Sequence, residues 1–222
     1  MIQKFEISWL LLDVEASKIF FHPATQLQGY EKNKPGVLSC PAVLTKRQRN
    51  FTIKAPFDLK LRFTGTISRP EIRPVYPGSS ITPDKLQKIF TLSPREQWIS
   101  DDYPVFQITT PYVFWSDVPC YINQVFPREL IGFGTPFRLI EGRFPIHAWK
   151  RPLSWAIEWL DLEKDIVVKR GKPWFDLFFE TNDPSNSIRL VNKEITAEMK
   201  AEIFANHDVT SYIKGTSQLF EV

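Results

Sequence analysis

From residue 51 to residue 63 the chain alternates in strict phase. Phe51, Ile53, Ala55, Phe57, Leu59, Leu61 and Phe63 are apolar, and Thr52, Lys54, Pro56, Asp58, Lys60 and Arg62 between them are not. A period of two places one face of an extended segment in a core and the other in water. Pro56 has no N–H to give a ladder, so the pattern predicts two strands meeting at a bend, or an edge strand. Phe5, Ile7, Trp9 and Leu11 alternate in the same way and predict a first strand. Residues 105–110 and 112–115 are rich in β-branched and aromatic side chains and read as two more strands. Leu153, Trp155, Ile157 and Trp159 alternate with Ser154, Ala156, Glu158 and Leu160. Residues 166–168 and 174–179 flank Lys169-Arg170-Gly171-Lys172-Pro173, which reads as a hairpin with glycine in its loop.

The breaks between these segments carry as much information as the segments. Proline occurs 18 times and never after Pro184. It lacks a backbone donor and clashes with the preceding helical turn, so long helices are excluded before that point while short strands fit. Residues 69–94 hold five prolines and read as a surface excursion. Thr82-Pro83-Asp84 and Ser93-Pro94-Arg95-Glu96 each start a short helical turn there, the second as a capping box. Pro184-Ser185-Asn186-Ser187 marks a boundary. Beyond it Thr196 caps a helix over residues 197–206 with Met199, Ile203 and Phe204 as its apolar stripe, and residues 209–222 form a strand or arm. The expected fold is all-β: an antiparallel β sandwich or jelly roll over residues 1–184, with a C-terminal helix and arm over residues 185–222 packed on the same domain or on a partner.

Composition agrees with one aromatic-filled domain. Hydrophobic residues make up 43% and aromatic residues 14% of 222, enough for a sizeable core, and the charged fraction of 24% is ordinary. A net charge of +3 suits an acidic partner, but it lacks the dense positive field of a dedicated nucleic-acid binder. The longest apolar run near the N-terminus, Trp9-Leu10-Leu11-Leu12, is too short for a secretory leader or a membrane span, so the expected location is cytoplasmic, or a virion. Cys40 and Cys120 fit reduced, buried thiols better than a disulfide.

Candidate chemistry is sparse. His22, His147 and His207 are far apart and no His-x-His, His-x-Asp or Cys-x-x-Cys pair occurs, so no metal site and no cofactor is expected. Ser116 and Ser154 lack a Gly-x-Ser-x-Gly elbow, and Cys120 reads as a small buried hydrophobe. Gly132-Phe133-Gly134 reads as a loop turn, and Asp101-Asp102 and Asp161 with Glu163 as exposed turn acids. The richest constellation runs from Arg143 to Trp155. Arg143, His147, Trp149, Lys150, Arg151 and Trp155 interleave cations with aromatic planes, the pattern that stacks on sugars or bases while holding phosphate or carboxylate. The alternative is that Trp149 and Trp155 plug the core and Lys150 and Arg151 are solvated. Lys46-Arg47-Gln48-Arg49-Asn50 reads as a solvated basic loop, with phosphate contact as its alternative, and the 169–172 turn as a plain hairpin tip.

The order of features from Cys40 to Phe179 resembles a family of uncharacterised bacterial and phage proteins, a domain of unknown function, over about 140 residues. The shared pieces are Cys40-Pro41, the alternating 51–63 stretch, Tyr112-Val113-Phe114-Trp115, Asn123, Gly142, Trp149, and Lys169-Arg170-Gly171-Lys172-Pro173 before an apolar strand. Trp149 is followed here by a second tryptophan strand, which departs from that pattern. The resemblance implies a single β fold and a bacterial or phage origin, and no activity. The functional expectation is a non-enzymatic structural or protein-interaction module, self-associating or meeting a protein partner through its C-terminal arm. The alternatives are a binding domain for a sugar or anionic, phosphorylated ligand, or a jelly-roll enzyme whose site forms only in three dimensions.

Overall fold

The computed structural model describes residues 4–12, 21–26, 40–130, 134–183 and 185–205. Among these residues the strands form three sheets. The largest has the order β14 (Ser187–Asn192), β1 (Lys4–Leu11), β7 (Val105–Trp115), β11 (Pro152–Trp159), β9 (Phe137–Leu139), with β6 (Phe90–Leu92) also on β7. The second runs β10 (Gly142–Pro145), β8 (Cys120–Val125), β13 (Pro173–Thr181), β3 (Asn50–Lys54), β2 (Thr25–Gln26). The third is β12 (Ile166–Val168), β4 (Leu59–Phe63), β5 (Ile72–Pro74). Among the described residues every strand pair is antiparallel except β1 with β14. Aromatic rings join the layers. Phe114 of β7 meets Phe179 of β13 edge-on at 5.8 Å, Trp155 of β11 meets Trp174 of β13 at 5.4 Å, and Phe63 of β4 meets Trp159 of β11 at 6.2 Å. The architecture is thus the expected all-β sandwich, with large interlocked rings at its centre.

The 51–63 alternation is realised. Phe51, Ile53, Ala55, Phe57, Leu59 and Leu61 are all buried, and the bend at Pro56 separates β3 from β4. The two strands belong to different sheets. The 169–173 turn does the same in reverse, so β12 and β13 are not the hairpin that the sequence predicts: β12 pairs with β4 and β13 with β3. These two crossings are bonded together. The Ala55 N–H donates to the Lys172 carbonyl at 2.9 Å, the Gly171 N–H donates to the Ala55 carbonyl at 2.8 Å, and the Arg170 N–H donates to Asp58 Oδ1 at 3.1 Å. Gly171 holds φ at +78°, a left-handed conformation that a Cβ would strain.

Residues 105–115 form one strand and not two. β7 passes straight through Pro111 because its neighbours change there: β6 covers residues 106–108 on one edge, and β1 takes over that edge at residues 112–115. On the β11 side the register slips between Pro152 and Ser154, and the Leu153 carbonyl is satisfied by the Thr110 hydroxyl at 2.8 Å. The 69–94 excursion contains β5, α2 (Pro83–Gln87) and β6, and sends Ile81, Leu86 and Ile89 into the core. Thr82 stands at the start of α2 without a side-chain cap, and the Ser93 capping box is absent: a 3-10 turn begins at Arg95 instead, after Pro94.

The basic stretch 46–50 is not a solvated loop. It is the end of α1 (Pro41–Gln48) and the start of β3, and Arg49 is 5% exposed. Its guanidinium donates to the Thr181 hydroxyl at 3.0 Å, to the Asn186 carbonyl at 3.3 Å, and to the Asp183 carbonyl, tying the end of β13 to the approach of β14. β14 itself lies past the expected boundary at Pro184, yet it is an edge strand of the largest sheet, in parallel register from Lys4 with Ser187 to Trp9 with Asn192. Pro184, Gly132, His207 and the arm at 209–222 lie outside the described residues.

Candidate interaction site

β1 and β7 are covered on both faces. Tyr112 and Phe114 of β7 face the main core, as Ile7 and Trp9 of β1 do. On the opposite face Leu10 stands directly across from Val113, flanked by Leu12 and Trp115, and all four are buried. The cover is α3 (Ala197–Ala205), whose Ile203 is fully buried among these four side chains, with Met199 half-buried beside it. This is a second apolar cluster, separate from the main core. Phe204, placed on the helix stripe by the sequence pattern, is 46% exposed, one residue past the buried Ile203, and Leu11, the last residue of β1, is 37% exposed.

α3 carries its own start signal. The Thr196 hydroxyl accepts the Met199 N–H at 3.2 Å and the Thr196 carbonyl accepts the Lys200 N–H at 3.0 Å, an N-cap as the sequence predicts. At its rim the Lys150 ammonium donates to both oxygens of Glu202, at 2.8 and 3.0 Å. Lys150 comes from the turn linking β10 to β11, where the Trp149 N–H donates to the Pro145 carbonyl at 2.8 Å.

The constellation from Arg143 to Trp155 is therefore divided among four places. Lys150 belongs to the α3 seat. Trp149, 4% exposed, packs on Phe144 at 5.8 Å with the Arg151 guanidinium 4.6 Å above its ring. Arg143 and His147 meet on the outer face of the second sheet. There Arg143 lies 3.5 Å over the Tyr121 ring and donates to Glu180 at 2.9 Å, while His147 meets the edge of Tyr121 at 5.4 Å. Trp155 is 1% exposed among Phe106, Phe137 and Trp174 and presents no plane to a ligand. Trp149 and Trp155 are both buried, as the alternative reading has them.

Nucleophilic chemistry at Cys120 is opposed by its surroundings. Burial pushes the thiol up to about 12, and the His147 Nδ1 faces the Cys120 main chain, 3.2 Å from N and 3.0 Å from O, instead of the sulfur. Cys40, expected to be buried, is exposed, and both cysteines are free. Two buried carboxylates escaped the sequence reading. Asp176 accepts the Thr52 hydroxyl at 2.7 Å, and Glu158 is paired with Arg138 across β9 and β11. Among the described residues no group of three or more His, Cys, Asp or Glu is placed to hold a metal ion. No described helix is long and apolar enough to cross a membrane.

The four seat residues left a signal in the sequence. Alternation lapses at Trp9-Leu10-Leu11-Leu12 and at Tyr112-Val113-Phe114-Trp115, and unbroken apolar runs mark strands buried on both sides. The sequence matches no protein-family model and no curated protein sequence.

Proposed function

We propose that this chain is a non-enzymatic protein-interaction module whose working surface is the seat made by Leu10, Leu12, Val113 and Trp115. The observation that supports this reading is the complete burial of Ile203 in a cluster detached from the main core. An amphipathic helix laid into an apolar groove is a recurrent mode of protein recognition, with anchors spaced three or four residues apart. Met199 and Ile203 have that spacing, and the Lys150–Glu202 pair fixes the helix along the groove. Burying a side chain the size of isoleucine contributes about 2 kcal/mol, so the attachment is specific but reversible.

A fluorescent peptide of residues 193–205 tests the reading by anisotropy. It binds saturably to the full-length Ile203→Asp chain, whose own helix no longer fills the seat. It does not bind to the Ile203→Asp/Val113→Asp chain. Equal titrations of the two chains would remove the groove from consideration.

A further inference from the structure

We infer that the seat is filled by α3 of a second copy of this chain, so that two copies exchange their C-terminal helices. The inference rests on the interaction reading above and names its partner.

Four observations carry it. First, the attachment of α3 is made by side chains. The main-chain bonds of the β1–β14 ladder run as far as the Lys193 N–H, which donates to the Trp9 carbonyl at 3.0 Å, and among the described residues none joins α3 to the sheets. Second, the helix keeps its cap wherever it goes, because Thr196 caps it from within. Third, Lys193, Glu194, Ile195 and Thr196, which connect β14 to α3, are all exposed, so they can be redirected without uncovering the core. Fourth, the ends of the contact are complementary in charge: every copy offers Lys150 at its seat and Glu202 on its helix. An exchanged pair reproduces each contact of the closed form, so exchange costs no burial and is decided by concentration and by strain in the connection. With Lys193 held by the ladder and Thr196 by the cap, the three steps between them span at most about 11 Å. The two seats of an exchanged pair must therefore lie side by side, with the β1–β14 edges of the two copies adjacent.

Charge reversal turns this into an experiment on the full chain. Lys150→Glu places two glutamates at the rim of the copy's own seat, and Glu202→Lys places two lysines there. Neither variant can form the ion pair with itself or with its own kind. In an equimolar mixture, exchange restores two Lys–Glu pairs at once. An exposed pair of this kind is worth at most about fivefold, so the two together favour the mixed dimer by roughly 25-fold over either variant alone. Light scattering after size exclusion should then show a species of twice 25.9 kDa in the mixture at a concentration where each variant alone runs as a monomer. The Lys150→Glu/Glu202→Lys double variant should behave as the wild type, which shows that reversal leaves the fold intact. A mixture that stays monomeric overturns the exchange. If the 193–205 peptide still binds the emptied seat in that case, exchange alone falls and the groove stands. If the peptide fails as well, the interaction reading falls with it.

Discussion

The Thr52 hydroxyl donates to Asp176 Oδ1 at 2.7 Å on the face of the second sheet turned away from the aromatic core, and both residues are buried there. Asp176 also accepts the main-chain N–H of Arg128 and the Asn50 side chain. Loss of water raises its pKa above the usual carboxylate value, and the nearby charge of Glu129 pushes the same way against these hydrogen bonds. A proton held more tightly in the folded chain than in the unfolded one means that stability falls as pH rises through the folded pKa. Denaturation of the wild type and of Asp176→Asn, from pH 4 to pH 8, should show the wild type losing ground to the variant as pH increases. A gap that widens in the other direction would mean that the ionised form is the favoured one.

Arg49 closes three contacts to Thr181, Asp183 and Asn186 from a buried position. Arg49→Ala removes three charge-assisted hydrogen bonds made from a buried guanidinium and should cost about 3 kcal/mol. Lys46→Ala, three residues earlier on an exposed part of α1, should stay within about 0.5 kcal/mol. Urea midpoints measure both, and equal effects would show that Arg49 is not a clasp.

Asp165 behaves in the opposite sense to Asp176. Arg62, which makes a bidentate pair with it, and Lys60 at 3.1 Å hold its pKa down at about 2. Its contribution is present above the ordinary carboxylate range and disappears as pH falls toward 2. The deficit of Asp165→Asn in melting temperature should therefore be constant near neutrality, shrink below about pH 4, and weaken in 1 M salt because Arg62 is half exposed. A deficit that persists at pH 2 would assign it to packing.

Leu61 is fully buried in the middle strand of the three-stranded sheet. Leu61→Asp places an unpaired charge in the core, which costs several kcal/mol and should yield insoluble protein. A soluble variant with an unchanged near-UV circular dichroism spectrum would contradict the inward orientation of that strand.

Iodoacetamide should label only one thiol of the native chain at pH 8. Cys40 is exposed, whereas Cys120 is buried with its pKa raised to about 12. Mass mapping that finds Cys120 carbamidomethylated before unfolding would show that the start of β8 opens.

The sequence told which side chains face inward far better than it told which strands are neighbours. Alternation at 51–63 records inside and outside but is blind to the bend at Pro56 carrying the chain from one sheet to another. Pro111 misled because a proline in a strand is harmless where the neighbouring strand changes, and nothing local announces such a junction. α1 buries no side chain, so it has no apolar stripe to read, and Pro41 at its first turn was the remaining clue. β5 and β6 are three residues each, too short for any period to register. Lys150 stood out as part of a cation–aromatic cluster, but its partner is Glu202, 52 residues further on, a pairing that only the folded chain reveals.

The bonded pair of crossings at Ala55 and Gly171 has a mechanical meaning. A strand leaving the three-stranded layer drags the five-stranded layer with it, because both connections share one set of main-chain bonds. The layers therefore cannot peel apart one at a time. Their amides should exchange with deuterium in a single slow class that reports global opening, while α3, held by side chains alone, trades its protons on a faster clock.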